Sequence, residues 1–139
     1  MSRSSIIRGT LRIEVSERYL ADHSEQAVHA LNGLVDIGAG LVLGDFGHGY
    51  SSLGYLERFP FESIKLARSI TRSDSSGVKP AILRSIVTLA HDLNIEAIAD
   101  GIDTESDAVQ FTQIGFGMGQ GLAFGAALSA NETRRLIRG

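Results

Sequence analysis

The sequence predicts an α/β protein with a parallel sheet of about five strands and intervening helices, and three observations predict it. Short apolar or alternating runs of strand length recur between stretches with helical spacing. Glycine or asparagine closes the helical stretches, and polar residues fall just after the strand-like runs. Parallel neighbours need a crossover connection, and a helix supplies it.

Residues 1–10 read as a polar N-terminal extension and residues 11–139 as one domain. Leu11-Arg-Ile-Glu-Val15 alternates like a half-buried strand. Asp22 with Glu25 has capping-box spacing. Ala27, Leu31, Leu34 and Val35 then recur at helical intervals, and Gly38 sits where a C-terminal cap belongs. Leu41-Val-Leu43 is an unbroken apolar run, as in a strand buried on both faces. It delivers Asp45 into a loop hinged by Gly47 and Gly49, the kind of strand end on which α/β proteins build sites.

Leu53 and Leu56 suggest a brief helix that stops before Pro60, because the residue preceding a proline avoids helical ψ. Ser63–Leu66 is the third strand, and residues 71–79 read as a loop. Pro80 takes a first-turn position ahead of the stripe Ile82, Ile86, Leu89, Ala90 and Leu93. Asn94 is a left-handed stop, and Ile95–Ala99 is a fourth strand ending at Asp100. Thr104 with Asp107 caps a helix carrying Ala108, Phe111 and Ile114, which Gly115 ends. Phe116–Met118 is a weak fifth strand, and Ser129 with Glu132 caps a last short helix.

Composition narrows the function classes. Apolar residues make up 43% of 139 residues, enough for one real core. Net charge is −3 and the 13 Lys and Arg are scattered, which argues against a nucleic-acid partner. The absence of cysteine fits a reducing compartment, so a cytoplasmic location is expected. The first residues lack the apolar core of a signal peptide, and no run approaches the roughly 20 residues that span a bilayer, so no membrane association is expected. In a parallel α/β protein, strand ends share one face, which would gather Glu14, Glu17, Asp45, Lys65, Asp100, Asp103 and Gln120. The competing reading is that these are unrelated loop polars.

Five stretches carry a resemblance. Glu14-Val-Ser-Glu17, Gly44-Asp-Phe-Gly-His-Gly-Tyr-Ser-Ser-Leu53, Phe61-Glu-Ser-Ile-Lys65, Ile98-Ala-Asp-Gly-Ile-Asp-Thr104 and Gly119-Gln-Gly-Leu-Ala-Phe-Gly125 resemble, in order and spacing, the C-terminal half of the EAL family, bacterial cyclic-di-GMP phosphodiesterases. The resemblance implies a (β/α)8 TIM-like barrel in which two divalent metals, Mg²⁺ or Mn²⁺, activate a water against a phosphodiester. By matching position, Glu14 and Asp45 would be metal ligands, with Asp100 and Asp103 at two further ligand positions. Glu17 would tether the loop after Asp45, and Lys65 would contact the nucleophilic water or a phosphate. Asp45, Lys65 and Gln120 would meet the nucleotide.

The departures from the family pattern are equally specific. Gly44 stands where the family has the first aspartate of Asp-Asp-Phe-Gly, the carboxylate that bridges the metals, and Ala67 replaces an aspartate two residues after the lysine. Asp100 and Asp103 replace glutamates, and a displacement of about 1 Å alone can cost about 10²-fold in rate. His48 replaces a threonine, and Gly125-Ala-Ala lacks an Arg-Pro. No Glu-Ala-Leu tripeptide occurs, and five strands stand against a barrel's eight.

The expectation is therefore a degenerate, truncated, non-catalytic module, acting through a protein partner or weak cyclic-di-GMP binding. The alternative is a phosphodiesterase half completed by another chain or by the N-terminal half. A third reading is a truncated product without independent function. Mg²⁺ or Mn²⁺ is expected if a metal is bound, with no metal as the alternative. Asp45 is open between ligand and inherited loop cap, and Lys65 between phosphate contact and simple ion pair. Open sheet edges imply a homodimer or larger assembly.

Overall fold

The computed structural model describes residues 7–48, 52–72 and 79–139. Gly49, Tyr50 and Ser51 of the glycine loop, and residues 73–78, lie outside the described residues. Five strands form one sheet in sequence order, every neighbour parallel: β1 (Arg12–Ser16), β2 (Gly40–Phe46), β3 (Phe61–Leu66), β4 (Glu96–Asp100) and β5 (Met118–Gln120). The helices are α1 (Glu17–Asp22), α2 (Ser24–Asp36), α3 (Ser52–Arg58), α4 (Arg68–Arg72), α5 (Lys79–Asp92), α6 (Glu105–Ile114) and α7 (Ala130–Arg138).

The outer face of the sheet carries the core. Leu41, Leu43 and Ile64 pack with Leu20, Ala27 and Leu31 from α1 and α2. Leu66 and Ala99 pack with Leu83 of α5 and Phe111 of α6. The opposite face carries the charged side chains Arg12, Glu14, Lys65 and Glu96 among Val42, Ile98 and Met118, and side-chain pairs across it report the curl of the sheet. Flat, β1 and β5 would stand about 19 Å apart at about 4.8 Å per strand. Instead an Arg12 Nη lies 2.6 Å from Glu96 on β4 and 3.7 Å from the Met118 sulfur on β5. The sheet is an arc of a barrel, and these residues line its inner face.

Helix ends follow the sequence closely. After α2, Gly38 (φ 98°) donates its N–H to the Val35 carbonyl and Ala39 donates to Leu34, a Schellman closure. Asn94 (φ 55°) closes α5 with the same pair of bonds, to His91 and from Ile95 to Ala90. Capping boxes form at Thr104–Asp107 and Ser129–Glu132.

Three features differ from expectation. The Asp22–Glu25 capping box does not form: His23 is the N-cap of α2, with no side-chain hydrogen bond. The cause is α1, whose last residue is Asp22; Ser16 caps α1 by accepting the Tyr19 N–H at 3.2 Å. The loop expected from residue 71 is preceded by α4, which ends at Arg72. The fifth strand covers Met118–Gln120 rather than 116–118, because Phe116 is drawn into the core beside Phe111.

Candidate functional site at the strand ends

The register of β2 against β3 sets the site. Leu43 pairs with Ile64 and Phe46 with Leu66, three steps against two, so β2 carries a bulge at Gly44–Asp45. Asp45 takes the left-handed conformation (φ 53°), which a short polar side chain tolerates better than most. The bulge turns Asp45 outwards while Gly44 and Phe46 stay buried. Asp45 lines a cleft of about 290 Å³ with Glu17, Arg18, His48, Arg68 and Ser69 above a buried Ala67.

Glu17 is fully buried at the first position of α1, where the helix N-terminus favours an acid. Its carboxylate accepts the Gly47 N–H at 3.2 Å and so ties the loop after Asp45 to α1. Ala67 donates its N–H to the Phe46 carbonyl at 3.1 Å, fixing the same loop from the β3 side.

On the inner face, Lys65 is the centre. Its ammonium donates to the Glu14 carboxylate from β1 and, at 3.2 Å, to the Gln120 amide oxygen from β5. Glu14 reaches Lys65 by crossing Gly44: a Cβ at residue 44 would lie 2.8 Å from Glu14 Cγ and 2.9 Å from Cδ. The space that a side chain at residue 44 would use is filled by Glu14.

The remaining two acids are engaged elsewhere. An Asp100 carboxylate oxygen accepts the Gly101 N–H at 2.7 Å. Asp103 takes Arg68 at 2.9 Å and Arg72 on one oxygen, and the Leu122 N–H at 3.2 Å on the other. The structure thus brings Glu14, Lys65 and Gln120 together, places Asp45 in the β2 bulge and Glu17 at the start of α1 where it holds the following loop, and ties Asp103 to α4. Arg68 and Arg72 went unnoticed in the sequence, although their i, i+4 spacing puts them on one helix face. Arg12, Ser63 and Glu96 form a second inner-face cluster, in which the Ser63 hydroxyl donates to Glu96 at 3.3 Å. The alternation of polar residues in β1 and β3 was its only signal.

A two-metal centre needs several free carboxylates around one point. As arranged, these side chains do not fit one: Gly44 has no ligand atom, Glu14 is paired with an ammonium, and Asp103 is paired with two guanidinium groups. Among the described residues, no group of three or more His, Cys, Asp or Glu is placed to hold an ion. No described helix is long and apolar enough to cross a membrane.

Comparisons with known proteins agree with this architecture. The cyclic-di-GMP phosphodiesterase PdeR of Escherichia coli is 34% identical over 119 residues, covering 85% of this chain and 18% of that protein. The crystal structure of the EAL domain of Mycobacterium smegmatis DcpA superposes with a TM-score of 0.80 at 27% identity, covering 96% of this chain and 60% of that one. Klebsiella pneumoniae BlrP1, solved as a manganese and cyclic-di-GMP complex, superposes with a TM-score of 0.74 at 32% identity, over 85% of this chain and 30% of that one. The chain therefore spans only part of each of these relatives. The EAL domain family matches residues 1–127, and with a TIM-barrel-like arc of five parallel strands beneath that match, the chain belongs to the EAL domain family.

Proposed function

We propose that this chain is a degenerate, non-catalytic EAL-type module of the cytoplasm, working in cyclic-di-GMP-linked signalling by binding a protein partner or, weakly, the nucleotide. One observation carries the reading. Residue 44 offers no carboxylate to bridge two metals, and its side-chain space is occupied by Glu14 on its way to Lys65. Binding of the nucleotide would use Asp45, Lys65 and Gln120, with Glu17 holding the loop.

A second reading has its own support. Glu14, Lys65 and Gln120 converge from three strands at one mouth, and the chain spans 60% of the DcpA EAL domain. In that reading further barrel strands come from another chain or from an N-terminal half, and Glu14 and Asp103 would first have to leave Lys65, Arg68 and Arg72 before they, with Asp45 and Asp100, could hold Mg²⁺ or Mn²⁺ for phosphodiester hydrolysis.

Calorimetric titration with cyclic-di-GMP, with and without Mg²⁺ or Mn²⁺, combined with a turnover assay on the same sample, separates the two. Metal-independent binding without turnover, or neither binding nor turnover, is the expected result. Metal-dependent hydrolysis overturns the proposal. The double variant Gly44→Asp with Ala67→Asp is expected to remain inactive, because Asp103 stays paired with Arg68 and Arg72 and no Glu-Ala-Leu glutamate occurs in this sequence.

A further inference from the structure

We propose that the ammonium of Lys65 is the resident counter-cation of Glu14 in this chain, and that Gly44 is the positioning residue that makes this possible. Three features of the inner face lead to it. The Lys65 side chain is only 11% exposed, so its charge is held away from water and needs an anion close by. Glu14 supplies that anion from two strands away, and Gln120 supplies a neutral acceptor from the opposite side. Glu14 lies in the side-chain space of residue 44, within what would be 2.8 to 2.9 Å of a Cβ, so the pairing depends on glycine there.

Any β-carbon at residue 44 would push the Glu14 side chain off this path. A glycine at residue 44 and the Glu14–Lys65 ion pair therefore go together. A tethered ammonium already pairs with the carboxylate, and a divalent ion would have to displace it while finding further oxygen ligands. Glu14 is thus charge-paired in the isolated chain without metal. This deepens the non-catalytic reading, and the two fail separately: turnover overturns that reading, whereas metal uptake by the nucleotide-free chain overturns this one.

The chain has only two lysines, Lys65 and Lys79, so a side-chain ammonium ¹H–¹⁵N NMR spectrum of the full chain contains two candidate signals. Lys79, whose ammonium donates to the Thr71 carbonyl at 2.7 Å, is the internal control. A protected Lys65 signal is expected. It should disappear through fast exchange in Glu14→Gln and in Gly44→Ala while the Lys79 signal persists. Substoichiometric MnCl₂ should broaden the two signals of the unmodified chain to the same small extent. Selective bleaching of the Lys65 signal by Mn²⁺ would place a metal at the mouth and overturn the proposal. So would a Lys65 signal unchanged in a folded Gly44→Ala chain, and Arg12→Gln, which removes a different inner-face ion pair, checks that the signal does not report general loosening.

Discussion

Glu17 is the residue on which the loop after β2 depends most directly. A fully buried carboxylate stays only if it is hydrogen-bonded, and here it accepts the Gly47 N–H from 30 residues away. Glu17→Ala removes the acceptor and leaves that N–H without it. A stability loss of roughly 1–3 kcal/mol is expected, measured by urea unfolding. A loss below about 0.5 kcal/mol would mean that the loop is held by other contacts. The position of Glu17 at a strand end was legible in the sequence, because Ser16-Glu17 follows the alternating run. Its complete burial was not, since that depends on α1 and on the bulge at Asp45 closing over it.

Two capping boxes of the same type sit on elements of opposite standing. Thr104 caps α6, which contributes Phe111 to the core, whereas Ser129 caps α7, none of whose residues is buried. Thr104→Ala should lower global stability by about 1 kcal/mol, since helix and core unfold together. Ser129→Ala should reduce the helical signal of residues 130–138 by NMR while leaving the global unfolding midpoint unchanged. The Ser129 side-chain and backbone bonds hold the Glu132 carboxyl below its ordinary 4.5. A depressed acid contributes its support above the unfolded-state value and loses it as pH falls through the folded one. The helical signal of α7 should therefore be full near pH 6 and fall as the solution is acidified below about pH 4.5. A pH-independent signal would remove the cap from the account. Both boxes, and the Schellman closures at Gly38 and Asn94, were readable because capping needs only residues three to five apart.

At the scale of the molecule, among the described residues the charged inner face of the arc meets no second layer, and β1 and β5 each have one strand neighbour. The C-terminal stretch adds exposed apolar groups: Leu122, Phe124, Leu128, Leu136 and Ile137 are between 47% and 79% exposed. Unpaired parallel edges beside apolar surface favour association, so we expect a homodimer or larger assembly. Light scattering after gel filtration checks this, and a compact monomer at micromolar concentration would sink it.

The sequence by itself determined the alternation of strands and helices, most helix ends, and the motifs that mark an EAL domain. Those features are local, since a strand period, a cap or a glycine closure is decided within a few residues. Only the tertiary structure decided what the acids do. Whether Glu14 faces a metal or Lys65, 51 residues away, depends on sheet register and curl, and on a glycine at residue 44 that lets the side chain cross. Whether Asp103 is free depends on Arg68 and Arg72 arriving on α4. Charge pairing across strands is set by packing distances, which no spacing along the chain encodes.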